Sequence, residues 1–410
     1  MNAAGGFDFL TPPRGRPAWT ASPTPGRGAR HGRLMFLGGA ADIDGSGAVG
    51  HPGRIGPQTT AAMAKLLDAV AELGGRPDDI VKLVAFHAAG DGDGEAEILR
   101  TIRAALPAGV MPTVSLVALP QLWAPGLAVI IKAVAIDNAD GTLPVKLATG
   151  PAGAGGGAFA SGVRCGEFAF VGAQTATDET GAMRDTDDVV AQAKRTIANI
   201  AGVLDTLGCD LDDVVKLNTW YLGQGTDADW RRAAEVRSSA FRFPGPGATG
   251  VPVPAPYPDG GLIRQECLAL RGLDGKRLPR ALSWPLGHWD WPIPVSFQQG
   301  IRVGRLIVLG GQYSMDERGL AVDPDDMERQ IANTMDFIAR ILAGFGAGLE
   351  DLLEVTAFYK LGASPERTPL AQLRFGSLQP PVTEVPLGTM GLERVTIEIE
   401  GYAIAPEAGA

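Results

Sequence analysis

The sequence predicts an α+β protein built from three tandem copies of one domain. The segment GRLMFLGG at 32–39 recurs as GEFAFVGA at 166–173 and as GRLIVLGG at 304–311. The segment DDIVKLVAF at 78–86 recurs as DDVVKLNTW at 212–220 and as EDLLEVTAF at 350–358. Both segments advance by 134 residues and then by 138, so no insertion separates the copies across about half of each unit. That period is far above the roughly 20–50 residues of a solenoid repeat, so each unit is a domain with its own core. The units run over 1–138, 150–272 and 290–406, the first being the most diverged. The chain reads as a fused trimer whose smallest assembly is a single polypeptide.

Each unit opens with an apolar strand that ends in small residues, as Leu34 to Leu37 do before Gly38 and Gly39. The helix that follows carries one apolar stripe: Met63, Leu66, Val70 and Leu73 in the first copy, Ile197, Ile200, Leu204 and Leu207 in the second, and Met335, Ile338, Leu342 and Phe345 in the third. Spacings of three and four put each set on one helix face, which must lie on a sheet. Gly74, Gly208 and Gly346 come next, where a left-handed cap favours a residue without Cβ. The acidic pairs Asp78–Asp79, Asp212–Asp213 and Glu350–Asp351 then read as solvated turns before the next strand. Shorter helices are expected around 94–105, 227–241 and 366–376. A Pro-rich turn and an apolar strand pair close each unit, ending AVIIKAVAI, LIRQECLAL and VTIEIEGYAI. Strand, helix, strand, helix, strands is the order of an α+β layer with its helices on one sheet face. Gly- and Pro-rich connectors lie near 137–157 and 271–292; the second holds SWPLGHWDWP at 283–292, whose tryptophans are expected to pack on a domain surface.

Composition narrows the chemistry. Hydrophobic content of 45% and charge of 20% are those of a soluble globular protein, and no 18-residue apolar run suits a membrane span. A net charge of −10 argues against nucleic acid as a partner. Cys165, Cys209 and Cys267 are odd in number and lack Cys-x-x-Cys spacing, which fits a reduced, cytoplasmic setting. His31, His51, His87 and His288 are scattered, so neither a metal nor another cofactor is expected. GAGGG at 153–157 lacks the Lys-Ser/Thr ending of a phosphate loop.

These residues resemble the Rid family, the reactive intermediate deaminases also called YjgF-like proteins. The third unit matches best, through FQQGIRVGRLIVLGGQ at 297–312, Gln330, DLLEVTAFYK at 351–360 and VTIEIEGYAI at 395–404. The second matches through FASGVRCGEFAFVGAQ at 159–174, Gln192, Asn199 and DDVVKLNTWY; the first retains GRLMFLGG, IGPQT at 55–59 and DDIVKLVAF. The resemblance implies a chorismate-mutase-like fold, a trimeric ring with clefts between neighbours, and hydrolysis of small enamines and imines to ketones and ammonia. Here one chain would supply all three domains and three unlike clefts.

The resemblance also marks what is changed. The family's carboxylate-binding arginine sits in a Pro-x-Arg-Ser/Thr turn, and Val114, Ala248 and Val382 take its place. The family's acidic strand residue aligns with Ile130, Arg264 and Glu398, and a position that is often cysteine holds Glu384 in the third unit. Glu384 and Glu398 are the candidate acid/base pair, because two neighbouring carboxylates can share a proton. In the plainer reading Glu398 and Glu400 alternate along the strand and one faces solvent. Arg264 is the candidate anion-binding cation. Thr383 and Thr249 retain hydroxyls, Phe159 and Phe297 replace the family's pocket tyrosine, and Gln312 offers an amide. The expected function is a Rid-type hydrolase on a small metabolite; the alternative is a catalytically degenerate binding or scaffold protein.

Overall fold

The computed structural model describes residues 8–10, 27–90, 94–149, 157–223, 226–253, 257, 260–291, 293–362 and 380–406. Three domains of one topology follow one another. The first contains β1 (Asp8–Leu10), β2 (Gly28–His31), β3 (Leu34–Ala41), α1 (Ile55–Glu72), β4 (Ile80–Ala88), α2 (Gly94–Ala105), β5 (Thr113–Leu119) and β6 (Val129–Ile136). The second contains β7 (Val145–Ala148), β8 (Gly162–Cys165), β9 (Phe168–Gln174), α3 (Val189–Leu207), β10 (Val214–Leu222), α4 (Asp227–Ser239), β11 (Gly247–Val253) and β12 (Ile263–Leu270). The third contains β13 (Arg280–Ser283), β14 (Gly300–Val303), β15 (Leu306–Gln312), α5 (Met327–Ala343), β16 (Leu352–Lys360), β17 (Val382–Leu387) and β18 (Ile397–Ile404). Each sheet has six strands, ordered β1-β2-β3-β6-β4-β5 in the first domain and correspondingly in the others. All neighbours are antiparallel except β4/β5, β10/β11 and β16/β17; α2 and α4 join the first two of these parallel pairs as crossovers. The expected helix at 366–376 lies outside the described residues. The connectors carry more order than their composition suggests: β7 and β13 lie within them and pair with β8 and β14.

Local chemistry explains the repeated element. Asp188 caps α3 by accepting from Val190 N and Ala191 N, and Gly74, Gly208 and Gly346 take positive φ after their helices (77°, 75° and 73°). Early in each long helix a buried glutamine ties the helix to the last strand's entry. Gln58 donates to His51 O and Gly126 O and accepts from Ala128 N, while Gln192 and Gln330 make the same three bonds in their own domains. Satisfying both ends of the amide makes this polar residue compatible with full burial. One expectation fails here. The acidic pairs are only half solvated, because Asp79 and Asp213 are buried; Asp79 accepts from Arg76 N, and Asp213 holds Arg271 and Arg277.

One face of each sheet packs on its helices, as Met63, Leu66 and Val70 of α1 do against Met35, Leu37 and Ile131. The opposite faces meet one another around a common axis. Phe36, Phe170 and Val308 share a core there with residues of all three domains, and Phe86, Trp220 and Phe358 share a second one. Strand alternation sends Tyr221 and Tyr359, next in sequence, to the helix side. The ring closes in chain order, with β5 against β9, β11 against β15 and β17 against β3. Glycine permits these close approaches: a Cβ at Gly38 would lie 2.9 Å from Pro381 Cβ, and one at Gly172 would lie 3.0 Å from Thr113 Cβ. No described helix is long and apolar enough to cross a membrane.

Candidate functional site

One strand position, occupied by Ile130, Arg264 and Glu398, meets the preceding domain at each of the three interfaces. Between domains 1 and 2, Arg264 forms a two-pronged ion pair with Glu95 of α2, at 2.8 and 2.9 Å, and donates to Leu116 O at 2.9 Å. Its guanidinium also lies over the Tyr257 ring, 3.6 Å from the centroid. His87 Nε2 is 3.2 Å from the same Glu95 carboxylate. Burial alone would raise Glu95, but the His87 hydrogen bond and the Arg264 charge and hydrogen bond prevail and hold it at about 2. Arg264 was expected to offer a cation to an incoming anion; Glu95 already neutralises it. Phe159 lies at this interface under Arg103, 5.9 Å from the guanidinium carbon.

Between domains 3 and 1, Ile130 and Thr383 converge on Gly39. Here the expected carboxylate pair comes apart. Glu384 pairs in register with Ala357, whereas Glu398 pairs with Phe358, so alternation along β16 turns the two side chains to opposite faces of the sheet. Ala357 belongs to the core under α5 and Phe358 to the central core. Glu384 and Glu398 therefore do not share a proton. The solvent-facing alternative fails too: Glu398 and Glu400, two residues apart, face the interior together at 1% and 2% exposure. Thr249 is also withdrawn from any cleft, since its Oγ1 accepts from Lys216 Nζ at 2.7 Å in the central interior.

The interface between domains 2 and 3 is different. Helix α4 places Trp230, Ala233, Ala234 and Arg237 at i, i+3, i+4 and i+7, one stripe facing the sheet. Arg237 is 1% exposed; its Nε donates to Ala233 O at 3.2 Å and its Nη1 to Thr219 Oγ1 at 2.9 Å. Gly250 leaves room for it, since a Cβ there would stand 3.3 Å from both terminal nitrogens. The guanidinium sits over Phe297 of domain 3, 5.8 Å from the centroid. Burial lowers Arg237 to about 10, so it stays cationic at neutral pH. Among the described residues it forms no ion pair.

Glu398 enters the same space from β18, and any Cβ at Gly311 would overlap its carboxylate. Burial raises Glu398 to about 8, with the nearby Glu400 charge adding to the effect, against the Tyr313 hydrogen bond and the charges of Lys216 and Arg237. At neutral pH it is a carboxylic acid with a proton to give. Among the described residues its Oε2 has no hydrogen-bond partner. Behind Tyr313, Gln312 donates to Gln299 Oε1 at 2.8 Å and accepts from His288 Nε2 at 2.9 Å, in the tautomer that this bond selects. Burial lowers His288 to about 4, leaving it neutral. The connector supplies part of this wall. Trp289 packs edge-on against Tyr313 and Trp291, and Trp291 against Phe297.

Of the expected residues, then, Glu398 and Phe297 border this interface, Gln312 pairs with Ile399 and turns with Glu384 to the α5 side, Arg264 and Phe159 lie at the next interface, Thr383 at the third, and Thr249 in the central interior. Arg237 and Tyr313 were not anticipated. Two signals pointed to Arg237: it occupies the apolar stripe of α4, and Arg103 recurs 134 residues earlier at the matching place in α2.

A family model described as Endoribonuclease L-PSP matches residues 151–259 and 293–405, more than half of the chain. A RutC family protein of Pyrococcus abyssi (strain GE5 / Orsay) is 34% identical over 116 residues, which is 28% of this chain and 87% of that protein. Among solved structures, a chorismatase covers 80% of this chain and 93% of its own at a TM-score of 0.53 and 15% identity, a likeness of fold. RidA from the Antarctic bacterium Psychrobacter sp. PAMC 21119 is 28% identical over 30% of this chain and 98% of its own, with a TM-score of 0.27. The fold is the chorismate-mutase-like one, and the chain belongs to the Endoribonuclease L-PSP family, the Rid or YjgF proteins, as three tandem domains.

Proposed function

We propose that the chain is a Rid-type hydrolase that takes a small enamine or imine bearing a carboxylate into the cleft between domains 2 and 3. The observation that carries this reading is a buried arginine without an ion pair among the described residues on one side of that interface, and a buried glutamic acid raised to about 8 on the other. Arg237 would replace the missing turn arginine, binding the substrate carboxylate through the donors it does not spend on Ala233 and Thr219. Glu398 would give its proton to the enamine carbon, leaving an iminium ion and a carboxylate. That carboxylate takes a proton from water as the oxygen adds to the iminium carbon. Glu398 then protonates the amine, the C–N bond breaks to release ammonia, and the hydroxyl proton returns to Glu398 as the ketone forms. One water is consumed, and the acid ends as it began. Tyr313 holds the carboxyl in place throughout.

The other two clefts favour a structural role, because one holds a neutralised Arg264 and the other an isoleucine. The test uses imines generated by an amino-acid oxidase, with semicarbazide trapping what escapes hydrolysis. Chorismate joins the panel because a fold neighbour is a chorismatase. Arg237→Met should lower kcat/KM by roughly 10²–10³-fold, from the loss of a buried charge-assisted contact. Glu398→Gln should lower kcat by about 10²–10⁴-fold. Full activity in both variants would refute the assignment. Carboxylate binding that depends on Arg237, without turnover of any substrate, would establish the degenerate binding protein instead.

A further inference from the structure

Six charged side chains meet where the three sheets face one another. Corresponding positions on β4, β10 and β16 hold Lys82, Lys216 and Glu354; those on β6, β12 and β18 hold Lys132, Glu266 and Glu400. Each side chain of the first set reaches across a domain interface to one of the second. Lys82 Nζ lies 2.6 Å from Glu266, Lys216 Nζ 2.7 Å from Glu400, and Lys132 Nζ 2.7 Å from Glu354. All six side chains are 10% exposed or less. Hydroxyls and an amide complete the cluster. Ser115 donates to Glu266, Lys132 donates to Thr356, Lys216 donates to Thr249, and Asn218 reaches both Glu266 and Glu400. Two interfaces pair lysine of the first set with glutamate of the second. The third, between domains 3 and 1, has the opposite polarity.

Three domains in a ring each touch both others, so connectivity alone allows two circular orders. In the observed order every pair is lysine with glutamate. In the reverse order Glu354 would face Glu266 and Lys216 would face Lys132, leaving only Lys82 and Glu400 matched. A ring made of three copies of domain 1 would oppose Lys82 to Lys132, and one made of three copies of domain 3 would oppose Glu354 to Glu400; three copies of domain 2 would match Lys216 with Glu266. Buried ion pairs add little net stability over apolar packing, whereas like charges at such a site are strongly unfavourable. We propose that the inverted third pair is an address: it sets the circular order of the domains and disfavours rings in which domains of two chains combine in the wrong order or composition.

The full-length chain tests this with two variants, each unfolded in urea and refolded across a range of protein concentrations. Lys132→Glu places two carboxylates face to face and should lower the folded-to-unfolded ratio about 10²-fold or more. Lys132→Glu combined with Glu354→Lys restores a lysine–glutamate pair and should recover most of that loss. The double variant, however, makes all three interfaces alike. On refolding at high concentration it should form a clearly larger share of dimers and higher domain-exchanged species than the wild type, by size exclusion with light scattering, because rings of mixed composition are then matched as well. The proposal is overturned if Lys132→Glu is as stable as the wild type, if Glu354→Lys fails to rescue it, or if the double variant forms no larger share of exchanged species than the wild type at every concentration.

Discussion

Replacing Glu398 by glutamine should change how the stability of this protein depends on pH, in a direction that the structure dictates. Glu398 is 1% exposed, and burial raises it from the ordinary 4.5 to about 8 when folded. Between those values the native state keeps a proton that the unfolded chain has released. Stability then falls as pH rises, by about 1.4 kcal/mol per unit while the difference is one full proton. The loss begins near the unfolded value of 4.5 and levels off above about 8, and in all it amounts to roughly 5 kcal/mol. Glutamine is of similar size and carries no titrating proton, so Glu398→Gln removes this slope. Urea unfolding from pH 5 to pH 9 gives both curves. Wild type and variant should agree within about 1 kcal/mol at pH 5, and the variant should be the more stable at pH 8.5. Because other buried groups titrate in both proteins, the difference between the curves isolates Glu398. Parallel curves would mean that Glu398 is ionised in the native protein, and the acid role proposed for it would fall with that result.

Light scattering should find a single chain of 42.6 kDa as the smallest folded species, and a minimum assembly of three chains would contradict the intrachain ring. Arg264→Ala strands Glu95 beside His87 without its guanidinium, which should cost roughly 3–5 kcal/mol in urea unfolding while leaving any imine hydrolysis intact. The same substitution should raise Glu95 from about 2, detectable by NMR titration of its side-chain carboxyl carbon. With Arg264 present, the stability from Glu95 is complete above its unfolded value near 4.5 and disappears as pH falls toward 2; the variant, which keeps only the His87 contribution, should show a weaker dependence.

The parts of the fold that depend on short-range periodicity were legible in the sequence. Apolar residues three and four apart identified the long helices, and Gly74, Gly208 and Gly346 marked the turns after them. Glu398 was singled out by its alignment with the family's acidic residue on the closing strand β18. What escaped was the parity between strands. Glu384 and Glu398 belong to neighbouring elements, but only the register of both against β16 shows that they point apart. Arg237 escaped for a different reason. It follows Arg231 and Arg232 in a helix rich in charge, and a charged helix is ordinarily solvated. Its place on the Trp230–Ala233–Ala234 stripe hinted at burial, but the room for it comes from the absence of a side chain at Gly250, on another element. Arg264 was assigned a cation's role because its partner Glu95 lies 169 residues away in another domain.

The connector between domains 2 and 3 gives the molecule an optical signal of its own. Trp289 is fully buried against Tyr313, with Trp291 at 4.9 Å between ring centroids, and Trp230 lies on the same face of α4 as Arg237. Indole emission responds to nearby charge and to displaced water, so a carboxylate seated on Arg237 should alter the fluorescence of this group without any attached dye. Trp123 and Trp284 are more exposed and would form a background accessible to a soluble quencher such as iodide. Quenching that background first would leave the emission of the buried tryptophans, so occupancy of this cleft could be followed in the native chain before any substrate is known.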